Sequence, residues 1–106
     1  MPEGEPNYIT QGKIVAETTM NPAAHEELAG KIVFIPSADP GFDWLFSHPI
    51  AGLITKYGGC NSHMAIRAGE LNIPSVIGAG EILYAKWLKA EKLELDANNK
   101  KVIIIR

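Results

Sequence analysis

The sequence predicts an α/β domain with a central, mostly parallel sheet, helices packed on it and a C-terminal hairpin, and three observations carry that prediction. Residues 31–35 (KIVFI), 51–55 (AGLIT) and 75–77 (SVI) are short apolar runs rich in β-branched residues, with Gly or Pro close by, as buried strands are. Between the second and third run, Met64, Ala65, Ala68 and Leu71 recur at helical spacing. Strand, helix and strand therefore follow in the order of a β-α-β unit with a right-handed crossover. At the end of the chain, residues 92–95 and 101–105 flank the turn Ala97-Asn98-Asn99-Lys100, the pattern of a hairpin.

The elements follow in order. Residues 1–8 hold two prolines, two glutamates and a glycine and read as a flexible arm or the end of a linker, which leaves 9–106 as the domain. Residues 13–18 (KIVAET) alternate as a short strand. Asn21-Pro22 opens a short helix over 22–28, with proline at a tolerated first-turn position, and Gly30 closes it. The 31–35 strand stops at Pro36. Asp39-Pro40-Gly41 makes a turn, and residues 42–47 form a short amphipathic helix that offers Trp44, Leu45 and Phe46 for burial. The 51–55 strand feeds the Gly58-Gly59 pair. Asn61 and Ser62 are N-cap candidates for the next helix, because their side-chain oxygens accept from the open N–H groups of a first turn. Arg67 and Glu70 point to solvent, and Asn72 with Ile73-Pro74 ends the helix. The 75–77 strand is closed by Gly78 and Gly80. Over 81–89, Ile82, Leu83, Tyr84, Trp87 and Leu88 give a last helix its apolar face.

Composition excludes several classes of function. The chain has 106 residues, enough for one domain with a modest core. A hydrophobic content of 46%, 21% charged residues and a net charge of −2 describe an ordinary globular chain. Lys and Arg are scattered, so no basic stripe marks a nucleic-acid partner. No apolar run approaches the ~20 residues that cross a bilayer, and the first ten residues lack the regions of a signal peptide. A cytoplasmic protein is the default, and the single cysteine, Cys60, agrees with a reducing compartment.

Chemistry concentrates at His63. It lies in or beside a first helical turn, where the helix dipole and unpaired N–H groups favour a bound anion, phosphate above all. A neutral imidazole there is a nucleophile. Gly58 and Gly59 let the backbone turn sharply and approach a ligand closely. Duller readings exist. A lone His at a helix start is more often a cap or packing residue, and a glycine pair alone is only a turn. Cys60 and His63 have the spacing of half a metal site, but no second Cys or His pair follows, so no metal site is assigned. His25 and His48 read as surface residues, and Trp44, Phe46 and Trp87 as core rather than a ligand-stacking set.

The block GGCNSHMAIRAGELNIPSVIG resembles the phosphohistidine, or swivelling, domain of the phosphoenolpyruvate-utilising enzymes: phosphoenolpyruvate synthase, pyruvate phosphate dikinase and Enzyme I of the sugar phosphotransferase system. In that family a strand ending in Thr leads through Gly-Gly to a Ser- or Cys-preceded His, then Ala-Ile, then Glu-Leu-x-Ile-Pro-x-Val-x-Gly. Here these are Thr55, Gly58, Gly59, Ser62, His63, Ala65, Ile66, Glu70, Leu71, Ile73, Pro74, Val76 and Gly78. The resemblance implies a compact swivelling β/β/α domain that is transiently phosphorylated on His63. It further implies a relay between an ATP-grasp nucleotide-binding domain and a phosphoenolpyruvate- or pyruvate-binding domain, with magnesium and ATP on those partners and no cofactor on this domain alone. Gly59 and the first-turn N–H groups would cradle the phosphate together with Gly58; Ser62 and Asn61 would add hydrogen bonds, and Thr55 would hold the other ring nitrogen or a phosphate oxygen. Alternatives of the same fold are a non-catalytic anion- or protein-binding module and the carrier domain of an antibiotic-inactivating phosphotransferase. Two departures stand out. Asn61 occupies the place where the dikinases and Enzyme I have a regulatory threonine, and Gly69 stands inside the helix where the family has Arg, as a sign of close backbone packing.

Overall fold

The computed structural model describes residues 6–20 and 28–106. Seven strands form one curled sheet: β1 (Asn7–Ile9), β2 (Lys13–Met20), β3 (Ile32–Ser37), β4 (Gly52–Tyr57), β5 (Ser75–Ile77), β6 (Lys92–Asp96) and β7 (Lys101–Ile104). Their spatial order is β1-β5-β4-β3-β2-β6-β7. Among the described residues, three helical segments accompany them: a 3-10 helix (Pro40–Ser47), α1 (His63–Glu70) and α2 (Gly80–Leu88). The expected short helix at 22–28 falls almost wholly outside the described residues.

The sheet is mixed, which corrects the expectation of a mostly parallel one. The pairings β2-β3, β3-β4 and β4-β5 are parallel, whereas β1-β5, β2-β6 and β6-β7 are antiparallel. The cause lies in β2. Its first part, Lys13 to Glu17, pairs with β6, and its last part, Thr18 to Met20, pairs with β3. One long strand thus serves two partners along its length, and the sheet curls between them.

Alternation sorts the core onto two faces. Ile32, Phe34, Ile54 and Val76 face one side, where they meet Tyr84 and Trp87 of α2 and Leu93 and Leu95 of β6. Val33, Ile35, Leu53 and Ile77 face the other, against Met64 and Ala65 of α1 and Leu45 of the 3-10 helix. Both faces of β3, β4 and β5 are covered, and this is why their sequences read as continuous apolar runs instead of alternating ones.

Of the boundaries that differ from those the sequence predicts, two bear on the sheet. Asn7 and Tyr8, assigned to the arm, belong to β1, which pairs with β5 at Asn7↔Ile77 and Tyr8↔Val76; the Asn7 side-chain amide also donates to the Ile77 carbonyl at 3.2 Å. Pro36 does not stop β3, which runs on to Ser37. Its pairing with β4 continues to Ser37↔Tyr57, and Pro36 itself is exposed, at a position where a sheet tolerates proline.

Candidate functional site

The site is built on the connection from β4 to α1 and on the neighbouring 3-10 helix. Gly58 leaves β4 with φ +132°, and a Cβ there would stand 2.6 Å from the Ala38 Cβ. Gly78, at φ +76°, is equally constrained, since a Cβ would run into the Gly58 carbonyl oxygen. The two glycines let the ends of β4 and β5 pass with no side chain between them. Gly59 is open around its Cα; its carbonyl accepts from the Ser62 N–H at 3.0 Å and from the Ser62 hydroxyl at 2.7 Å.

Ser62 is the N-cap of α1. Its extended backbone (φ −70°, ψ 159°) precedes the helix, and its hydroxyl oxygen accepts from the Ala65 N–H at 3.4 Å. The first intrahelical bond runs from the Ile66 N–H to the Ser62 carbonyl at 3.0 Å. His63 is thus the first residue of the helix, and the helical pattern gives its N–H and that of Met64 no acceptor. The C-terminus closes in a Schellman arrangement: Ile73 N–H donates to Ala68 at 2.9 Å and Asn72 N–H to Gly69 at 3.2 Å, with Asn72 in the left-handed region at φ +61°. The buried Met64, Ala65 and Ala68 anchor α1, which leaves His63 on the rim.

The His63 ring meets a carboxylate twenty positions earlier in the chain. Its Nε2 lies 2.7 Å from Asp43 Oδ1, and Arg67 Nε donates to the same oxygen at 3.2 Å. Arg67 also reaches Glu70 Oε1 through one terminal nitrogen at 3.2 Å and lies over the Phe46 ring, 5.8 Å from its centroid. The two helices explain the meeting. On α1, His63 and Arg67 are four residues apart and share a face. On the 3-10 helix, Asp43 and Phe46 are three apart and eclipse one another. Leu45, fully buried, pins that helix to the core, and Asp39 caps its start by accepting from the Gly41 N–H at 2.8 Å.

Electrostatics favours the ionised form of Asp43 at this place. The hydrogen bond from His63, and then the Arg67 guanidinium, hold the Asp43 carboxyl below the usual carboxylate range. The Glu70 and Asp43 carboxylates push Arg67 still further towards its charged form. With Asp43 ionised, the bond to His63 requires a proton on Nε2, so a neutral ring in this pose carries its lone pair on Nδ1. The side chains of His63, Asp43 and Arg67 are 39%, 45% and 36% exposed, open to a second molecule docking on this rim. Among the described residues, no three His, Cys, Asp or Glu side chains converge to hold a metal ion.

Comparison with known proteins places this architecture. The family description PEP-utilising enzyme, mobile domain, matches residues 27–104. The chain belongs to the mobile-domain family of phosphoenolpyruvate-utilising enzymes. A phosphoenolpyruvate synthase of Aeropyrum pernix is 31% identical to this mobile domain over 74 residues, which take in 69% of the chain and 9% of the synthase. The chain thus spans about a tenth of that relative, which is a far longer protein. In fold, the mobile domain is similar to the solution NMR structure of a UPF0107 protein, with a TM-score of 0.70, 16% identity, and coverage of 99% of this chain and 100% of that one.

Within the mobile domain the residues singled out from sequence are divided between rim and scaffold. His63, Ser62, Asn61 and Gly59 share the β4-α1 connection. Thr55 is fully buried: its hydroxyl donates to the Tyr57 carbonyl at 3.0 Å and accepts from the Gly78 N–H at 2.9 Å. Its bonds therefore brace the Gly58–Gly78 crossing and go neither to His63 nor outward. Gly69 is not packed closely, for a Cβ there would meet Ile9 Cγ2 at an ordinary 3.6 Å. Glu70 faces solvent as expected, with its side chain 60% exposed, yet it and the less exposed Arg67 are tied into the His63 cluster, and Asp43 was not singled out at all. The i,i+4 spacing of His63 and Arg67 was available in the sequence. Their approach to Asp43 is tertiary and left no local signal. Of the remaining residues, Trp87 is in the core on the α2 face, Trp44 and Phe46 are half-buried against the core on the opposite, α1 face, and His48 is half-buried with its ring edge-on to Trp44 at 6.0 Å. His25 lies outside the described residues.

Proposed function

We propose that this domain is a phosphoryl carrier that is transiently phosphorylated on His63. The observation that carries the proposal is the placement of His63: a half-exposed imidazole on the first residue of a helix, beside an arginine, in a chain of the mobile-domain family. A ring nitrogen with its lone pair attacks phosphorus in line, forming an N–P bond as the donor's bond to phosphorus breaks and its electron pair leaves with the donor. The open N–H groups of the first turn, with Ser62 and Asn61 beside them, favour the phosphoryl oxygens. Donor and acceptor sites belong to partner domains: an ATP-grasp domain that brings nucleotide and magnesium, and a phosphoenolpyruvate- or pyruvate-binding domain. The small share of the synthase that this chain matches supports such a division. The setting is cytoplasmic.

Incubation with phosphoenolpyruvate, or with ATP, in the presence of those partner domains tests the assignment by intact mass. The expected result is an acid-labile gain of one phosphate that His63→Ala abolishes in a folded protein. A gain that persists in His63→Ala removes the assignment, and no gain with either donor favours a binding module of the same fold.

A further inference from the structure

We propose that Arg67 binds the phosphoryl group once it is on His63, and that Asp43 holds that group's place while the domain is unphosphorylated. The proposal rests on His63 being the phosphorylated residue. Its observation is that one oxygen, Asp43 Oδ1, accepts from both His63 Nε2 at 2.7 Å and Arg67 Nε at 3.2 Å. This is a seat for an anionic oxygen between two donors. A phosphoryl group on Nε2 carries three oxygens that share up to about two negative charges, and any of them turned towards Arg67 falls in that seat.

Carboxylate and phosphoryl group cannot share the position, because like charges at contact distance repel. Asp43 is the partner able to leave. Its side chain is 45% exposed on a helix whose anchor is the neighbouring Leu45, so a side-chain rotation suffices. Arg67 stays, because Glu70 and the Phe46 ring hold it independently of Asp43. Its planar fork matches phosphate geometry.

The resting contact also masks the nitrogen. While Asp43 is bonded to the neutral ring, the proton sits on Nε2 and that lone pair is absent. Release of Asp43 lets the Nε2 proton pass to water and Nδ1 take one up. The Nε2 lone pair then forms the N–P bond, the donor's bond to phosphorus breaks, and its electron pair leaves with the departing group. Asp43 thus restrains the unphosphorylated domain, and Arg67 stabilises the phosphorylated one.

The 106-residue chain with phosphoramidate as a small donor, ammonia leaving, isolates these roles from partner domains. Intact mass gives the rate of incorporation, and phosphorus and nitrogen NMR give the phosphorylated atom. In the wild type, phosphate is expected on Nε2, with the Arg67 Nε–H resonance shifting when it is attached. Asp43→Asn is expected to speed incorporation about fivefold by removing the competing charge. Arg67→Gln is expected to slow it about tenfold, with part recovered in Arg67→Lys. Rates of Asp43→Asn and Arg67→Gln close to wild type, or phosphate confined to Nδ1, overturn the proposal while leaving His63 as the carrier. Phosphate found on His25 or His48 with none on His63 overturns the carrier assignment itself. Should Arg67→Gln fail to fold, the wild-type Arg67 resonance decides: a shift on phosphorylation supports the proposal and a stationary signal refutes it.

Discussion

Thr55→Val separates a scaffolding threonine from a phosphate-binding one. The replacement keeps the shape of the side chain and removes only its hydroxyl, in a fully buried position. Two partners are affected unequally. The Tyr57 carbonyl also accepts from the Ala38 N–H at 3.0 Å, so it keeps a bond. The Gly78 N–H, which donates to the Thr55 hydroxyl at 2.9 Å, is left without that acceptor. A buried donor so orphaned costs about 1–3 kcal/mol, and because Gly78 is only half-buried the lower part of that range, about 1–2 kcal/mol, is expected. For a domain of this size that corresponds to a fall in Tm of about 5–15 °C. Urea denaturation with an unchanged m-value gives the stability, and hydrogen exchange gives the protection of the Gly78 amide, which should drop. A stability change below about 0.5 kcal/mol with the Gly78 amide still protected would refute the reasoning, since hydrogen bonds of this kind contribute more than that.

Three further outcomes are expected. Gly69→Ala should stabilise α1 by up to about 1 kcal/mol, because alanine is the better helix former and the added Cβ meets Ile9 Cγ2 at 3.6 Å; thermal unfolding reads it, and a loss of stability would mean that the glycine is needed for packing. Gly78→Ala combines a positive φ of +76° with a Cβ against the Gly58 carbonyl; it should cost at least about 1–3 kcal/mol and disturb the amide signals of residues 58–63, and a spectrum identical to wild type would contradict the crossing. Asp43 has a lowered carboxyl pKa, chiefly through the bond from His63 and next through Arg67. Its favourable contribution is therefore present above the ordinary carboxylate range, ~4, and is lost as pH falls through the lowered value. Carbon NMR of the Asp43 carboxyl should show the low midpoint at low salt and its rise in Arg67→Met, and an ordinary midpoint that Arg67→Met leaves in place would count against the cluster.

Much of the fold was readable in the order of residues, and the exceptions have physical causes. Strands β3, β4 and β5 announced themselves because burial on both faces demands unbroken apolar runs. α1 was equally plain, with a serine cap, buried Met64, Ala65 and Ala68, and an asparagine at its end. β1 was hidden, since Asn7-Tyr8-Ile9 follows Pro6 and is held by its partner β5 rather than by any propensity of its own. The mixed sheet was hidden for a related reason: no local feature of residues 13–20 tells that Glu17 pairs with β6 and Thr18 with β3. At the site, local chemistry marked His63 and Ser62. It missed Asp43, because a carboxylate becomes part of a histidine site through the packing of two helices. The role that the resemblance implies for Thr55 is not what its bonds show, since its hydroxyl turns inward to the Gly78 N–H.

The central claim is that the covalent chemistry of this domain resides on His63. Phosphorus–proton correlation NMR on the domain, after exposure to phosphoenolpyruvate or ATP with the partner domains proposed above, reads this out. One acid-labile phosphorus signal correlated with the ring protons of His63 is expected. A phosphorus signal correlated with any other residue, or none with either donor, would contradict it.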